Sequence, residues 1–154
     1  MIVKDVALGG LKSAFRIVSR DLEALPEDAF DKAFGGKART VADIVYEINL
    51  VNDHVGLTLR GEPLFDWPED GPILAPEGVR TKEATLHAFK ESSGRILTTV
   101  ENMTDADLEG TVTTEHGETN RFERCRFMTL HTWYHSGQLN FIQTLLGDDG
   151  WHWD

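Results

Sequence analysis

Apolar residues recur along this chain at spacings of three and four, the period of one helical face. Ala7, Leu11, Ala14, Val18, Leu22 and Leu25 mark a first helix from Val3 to Leu25, ended by Pro26. Gly35 and Gly36 mark a connecting loop. Val41, Ile44, Ile48, Val51, Val55 and Leu59 mark a second helix. Thr40 is placed to cap it, with Asp43 as a weak capping-box partner, and Gly61 and Pro63 stop it. From Gly61 to Arg80 the pattern breaks, because Pro63, Pro68, Pro72 and Pro76 exclude regular structure. Leu86, Phe89, Ile96, Leu97, Val100 and Met103 resume it in a third helix from about Thr81, where Ala84 cannot complete a capping box and Gly94 is slightly weakening. Leu108 to Arg121 is polar, with alternation at Thr111-Val-Thr113 and a turn signal at His116-Gly117, so a small hairpin is expected there. A fourth helix is expected from Glu123 to Leu146.

A break as long as Gly61–Arg80 suits a crossover along a bundle, which would let the second and third helices run parallel. The fold class expected is all-α, a four-helix bundle with that long crossover, in one domain over residues 1–154. No internal repeat or low-complexity tract interrupts it. Composition changes this little: 154 residues, 40 % of them hydrophobic, suffice for one core. The net charge of −11 argues against nucleic acid as a partner and, more weakly, against anionic membranes. No run is apolar enough to span a bilayer, no export signal is legible, and Cys125 is the only cysteine, so a cytoplasmic location is expected.

The fourth helix carries the chemistry. His131 and His135 are four residues apart and so share a face, on which Phe127, Met128, Gln138, Ile142 and Leu145 also fall. Both imidazoles are thus expected to point toward the core, where each needs a polar partner. A divalent ion would satisfy both, given a third ligand from a facing helix. The second helix offers Glu47 and His54, seven residues and about 10 Å apart along its axis, too far to hold one ion together. Neighbouring hydroxyls or carbonyls would equally satisfy two core histidines. His87 and His116 read as solvated, His152 as part of a packed Trp151–Asp154 tail, and Cys125 as a packing residue facing away from the pair.

Several other readings fail on particular positions. Thr132 follows His131, so the general base of the His-Glu-x-x-His metalloproteases is missing. Met128 stands where a di-iron bundle would have glutamate. Gly9-Gly10 and Gly35-Gly36 lack a phosphate-loop pattern.

Thr40-Val-Ala-Asp-Ile-Val-Tyr-Glu47 and His131-x-x-x-His135-Ser-Gly137-Gln138-Leu139, ending Leu-Leu-Gly147-Asp148, resemble the DinB-like (YfiT-like) superfamily over essentially the whole chain. The resemblance implies an up-down-down-up bundle and a metal held by three residues, typically all histidine, one on helix two and a pair on helix four. It implies metal-dependent transferases and isomerases that use small thiols such as mycothiol or bacillithiol, often as dimers. In this chain Glu47 stands where the family's helix-two histidine usually falls, so either Glu47 replaces it or His54 serves. The expected ligands are therefore His131, His135 and either Glu47 or His54, around zinc or nickel, with a low-molecular-weight thiol as a second cofactor.

The expected function is that of a metal-dependent enzyme, a thiol S-transferase or a hydrolase, acting on a small-molecule substrate. Such an ion lowers the pKa of a water or thiol. Gln138 is placed to hydrogen-bond a ligand, Tyr134 lies some way round the helix, and Phe65 and Trp67 are candidates to wall a pocket. The alternatives are a metal- or small-ligand-binding protein without catalysis and a structural bundle with core histidines. Exposed tryptophan and apolar helix faces would allow a homodimer.

Overall fold

The computed structural model describes residues 2–68 and 70–154; Met1, and Glu69 within the expected break, lie outside the described residues. The elements are α1 (Val3–Ala24), α2 (Val41–Arg60), α3 (Lys82–Glu101), α4 (Asp105–Glu109), β1 (Thr111–Thr114), β2 (Gly117–Asn120) and α5 (Arg121–Leu145). Every stripe residue expected for the first two helices is buried. Thr40 Oγ1 accepts the Asp43 N–H at 3.1 Å, and Thr81 Oγ1 accepts the Ala84 N–H at 3.2 Å. Gly61 ends α2 in the left-handed region at φ 69°, where its N–H reaches the Leu57 and Thr58 carbonyls. The hairpin pairs Thr111 with Asn120 and Thr114 with Gly117 in antiparallel register. Asn120 then caps α5 by accepting the Glu123 N–H at 2.8 Å, so the helix begins at Arg121, two residues earlier than expected. Among the described residues the unexpected α-helix is α4, too short to show a period. Its cue is a reciprocal box between Thr104 and Asp107.

Cross-helix contacts fix the directions. Gly10 lies against Thr129, and Asp21 takes hydrogen bonds from Ser136 and Asn140, so α1 and α5 run parallel. Asn52 meets Ser92, Asp53 meets Arg95 and Arg60 meets Thr99, so α2 and α3 run parallel. Arg121 Nε donates to the Leu59 carbonyl at 2.7 Å at one end of the α2–α5 contact, while Glu47 faces His131 and His135 farther along. That pair is therefore antiparallel. Lys12 pairs with Glu101 and Phe15 meets Phe89 edge-on, which makes α1 and α3 antiparallel. The architecture is an up-down-down-up four-helix bundle with a small two-stranded sheet before α5. Among the described residues, no helix is long and apolar enough to cross a membrane.

The crossover makes parallel α2 and α3 possible by returning the chain to the start of α2. There Asp43, 3 % exposed, accepts the Ala75 N–H at 2.8 Å and the Arg80 guanidinium at 3.0 Å. Arg80 also donates to the Ala75 carbonyl at 2.6 Å and to Asp31 at 2.6 Å. Burial alone would push the Asp43 carboxyl up. Hydrogen bonds from Ala75, Thr40 and Arg80, with the charge of Arg80, outweigh it and hold the group below the usual carboxylate range. The capping box expected of Asp43 is not formed, because its side chain fastens the end of the crossover instead.

The histidine face of α5 is drawn less widely than its periodicity suggests. Met128 and Ile142 are buried, but Phe127 is 42 % exposed and Leu145 54 % exposed. Phe127 sits where the groove between α2 and α5 opens, and the core face is narrower than expected.

Removing the Asp43 carboxylate takes away the buried one of Arg80's two carboxylate partners and leaves the buried Ala75 N–H without its acceptor. Asp43→Ala is expected to cost about 3 kcal/mol, read as a lower urea midpoint. Asp31→Ala, on the exposed side of the same arginine, is expected to cost under about 0.5 kcal/mol.

Candidate metal centre

His131 and His135 lie one turn apart on α5 and turn their Nε2 atoms toward each other at 3.2 Å. His135 is 1 % exposed and the His131 side chain 13 %. Glu47 reaches them from α2. Its Oε1 is 3.7 Å from His131 Nε2 and 3.8 Å from His135 Nε2. One ligand atom from each residue lies within 4.8 Å of the other two. The other carboxylate oxygen, Oε2, is ion-paired with Arg39 from the loop before α2. Arg39 therefore fixes the carboxylate so that Oε1 is turned to the imidazoles.

Burial pushes both histidines down to about 4. For His131 the neighbouring His135 and then Arg39 add to that effect; for His135 the Gln138 hydrogen bond opposes it and Arg39 adds to it. Both rings are thus neutral near pH 7, the state in which imidazole is a ligand. His135 Nδ1 lies 2.8 Å from Gln138 Oε1, an acceptor, so Nδ1 carries the hydrogen and Nε2 keeps its lone pair. Gln138 is held in turn by donating to the Tyr134 hydroxyl at 3.2 Å. His131 Nδ1 is buried without a hydrogen-bond partner.

The donor set fits a divalent ion on this geometry. Two neutral nitrogens and one carboxylate oxygen converge, and the hydrogen bond from His135 to Gln138 is of the kind that orients ligating histidines. Positions remain for an exogenous group, since only three protein ligands are supplied.

The structure brings Glu47, His131 and His135 together and places His54 elsewhere. His54 lies two turns farther along α2, edge-on to Phe65 at 5.3 Å and to Trp67 at 5.7 Å between ring centres. Burial draws its pKa down. With Trp67, Phe127 and Arg124 it lines a cavity of about 300 Å³ one turn away from the Glu47–His131–His135 cluster. Of the two aromatic residues expected to wall a pocket, Trp67 lines this cavity, beside Leu64, and Phe65 does not. His87 and His116 are solvated. His152 pairs with Asp148 at 2.9 Å, in a tail whose Trp153 donates to Asp21 at 2.8 Å. Cys125 is fully buried and its thiol is pushed up to about 12, so it is no nucleophile. Sequence reasoning missed Arg39 and Arg124. Arg39 sits in an irregular loop where no period applies. Arg124 lies seven residues before His131, a spacing that does place it on the same face of α5.

Lowered histidine pKa values have a definite sign for stability. Between pH 6.5 and about 4 the unfolded chain binds protons that folded His131 and His135 refuse. Stability from this source is complete above pH 6.5 and falls as the pH drops toward 4. The metal-free protein should lose stability across this window in urea titrations. A His131→Gln, His135→Gln variant should show a shallower dependence, and an unchanged slope would refute the assignment. Asp21, whose pKa burial raises, contributes with the opposite sign in both proteins and cancels in the comparison.

Comparison with known proteins agrees with this architecture. The solved structure of a conserved protein from Enterococcus faecalis superposes with a TM-score of 0.74 at 13% identity, over 96% of this chain and 99% of that one. A mycothiol-dependent maleylpyruvate isomerase superposes with a TM-score of 0.70 at 13% identity, over 88% of this chain. The match covers 60% of the isomerase, so this chain corresponds to only part of it. At such identities the likeness is one of fold. No curated protein matches the sequence. The family model of the DinB superfamily matches residues 12–139, and the chain belongs to that superfamily.

Proposed function

We propose that this protein is a divalent-metal enzyme acting on small molecules, of the thiol S-transferase or hydrolase type, with Glu47, His131 and His135 as its ligands. The observation that carries the proposal is the convergence of one carboxylate oxygen and two neutral imidazole nitrogens in a largely buried site. Zinc and nickel suit such a mixed nitrogen and oxygen set. When bound, the ion would act as a Lewis acid that lowers the pKa of a thiol or water. A low-molecular-weight thiol is a reasonable second cofactor, because the similarly folded isomerase is mycothiol-dependent.

The chain's own residues have separate tasks in this reading. Gln138 orients His135 through Nδ1, and Arg39 holds Glu47 through Oε2. The Phe127 ring stacks on His131 at 5.8 Å and shields one side of the cluster from water. Glu47 gives the site one negative charge that a third histidine would lack. It therefore offsets part of the ion's charge and should leave a bound group less acidic than an all-histidine site would.

Elemental analysis of tag-free protein should find about one divalent ion per chain, as one three-ligand site requires. The His131→Ala, His135→Ala double variant should contain none. Glu47→Ala should weaken binding at least about 100-fold, and Gln138→Ala about 10- to 100-fold, while His54→Ala should bind as wild type does. Metal retained in the double variant, or lost only with His54, would overturn the ligand assignment. Turnover is then sought with the loaded protein across thiols and electrophiles; tight metal binding without turnover on any of them would favour a binding protein.

A further inference from the structure

The cavity beside the metal cluster ends against a cation that the proposed chemistry leaves unexplained. Arg124 is half-buried at its base, and its Nε is enclosed without a hydrogen-bond partner. Among the described residues, no carboxylate lies within ion-pair distance of its guanidinium. Arg20, Arg39, Arg60, Arg80, Arg95 and Arg126 have a carboxylate partner, and Arg16 and Arg121 donate to backbone carbonyls instead; among the described residues Arg124 has neither. A partly desolvated cation without a counter-charge is costly. Burial lowers the pKa of Arg124 and the charge of Glu115, on the hairpin tip, only partly opposes it.

The surroundings define what could supply that counter-charge. The guanidinium lies over the Phe127 ring, 4.7 Å from its centre, and the other neighbour of that ring is His131. Val51 and Val55 from α2 and Trp67 from the crossover give the cavity an apolar body, with His54 on the same wall. Val51 is one turn after Glu47 and Phe127 one turn before His131, so the cavity starts where the metal cluster ends. A volume of about 300 Å³ suits a single ring or a short chain.

We propose that this cavity is an anion subsite, in which Arg124 binds the carboxylate of a small molecule whose apolar body lies between Trp67 and Phe127. The bound carboxylate accepts charge-assisted hydrogen bonds from the terminal N–H groups of the Arg124 guanidinium, which sits over the Phe127 ring, while the enclosed Nε keeps the side chain's stem out of water. The body of the ligand points along the groove toward Glu47, His131 and His135. The substrate class is therefore a carboxylic acid with a compact apolar body. Only this last step rests on the metalloenzyme reading; the subsite itself does not. Glu115 faces the same cavity and repels an anion there, while His54 and His116, also on its wall, are the other titratable groups that face Arg124.

The test compares 3-phenylpropionate with its neutral amide, 3-phenylpropionamide, in zinc-loaded and in chelator-stripped protein. Binding is followed at the Trp67 indole N–H by NMR. The carboxylate should bind at least about tenfold more tightly than the amide in both forms, the size expected for a charge-assisted hydrogen bond. Arg124→Gln should abolish that preference and Arg124→Lys should retain part of it. Glu115→Gln, at an exposed turn and harmless to folding, should tighten carboxylate binding about two- to threefold. Equal binding of acid and amide, no binding of either, or a preference that survives Arg124→Gln would overturn the subsite. A preference that vanishes with the metal but not with Arg124 would place the carboxylate on the ion and overturn it too. Arg124-dependent binding in a protein that takes up no metal would instead remove the metalloenzyme reading and leave the subsite standing.

Discussion

When α5 packs on α2, His131 and His135 lose most of their hydration while their Nε2 atoms come within 3.2 Å. A proton on either ring would then place a desolvated charge against its neighbour and near Arg39. The arrangement persists only if both rings stay neutral, and neutral rings present lone pairs. The same packing that makes the core dry thus prepares the nitrogens as ligands. Glu47 completes the set because Arg39 holds its carboxylate in place at the mouth of the groove.

The scaffold keeps this register through contacts far from the site. Asp43 and Arg80 fasten the crossover at the start of α2, one turn before Glu47. Its length lets α3 run beside α2 in the same direction, which leaves the opposite flank of α2 free for α5. Asp21, buried in α1, performs a similar task on the far face of α5 through Ser136, Asn140 and Trp153. The histidine helix is therefore gripped from two sides, and His131 and His135 inherit the rigidity of both.

Much of this was legible in the residues because it depends on period and punctuation. The stripes of α1 and α2, the proline-rich break and the hairpin turn are local signals, and local signals survive folding. The His131–His135 pair was legible for the same reason, since four residues on a helix determine a distance. That Glu47 rather than His54 faces the pair was not, because it depends on how α2 and α5 slide past each other, and no spacing within one helix records that. Arg39 and Arg124 show the limit more plainly. One lies in an irregular loop, and the other's significance is the lack of a partner, which only the packed molecule reveals. Phe127 looked like a core residue by period, yet the width of the groove left it at the edge, between a histidine and an arginine.

Glu47 and His131 are about eighty residues apart in the chain, with the crossover, all of α3 and the hairpin between them. A bond from both to one ion would close that whole stretch into a ring. The ion would then act as a removable cross-link, restricting the unfolded ensemble as a long-loop disulfide does, in a chain whose single cysteine cannot form an internal one. A partly synthesised chain holds at most half of this clasp. The complete one closes only after α5 has emerged and docked, so ion capture would follow the docking of α5 on α2.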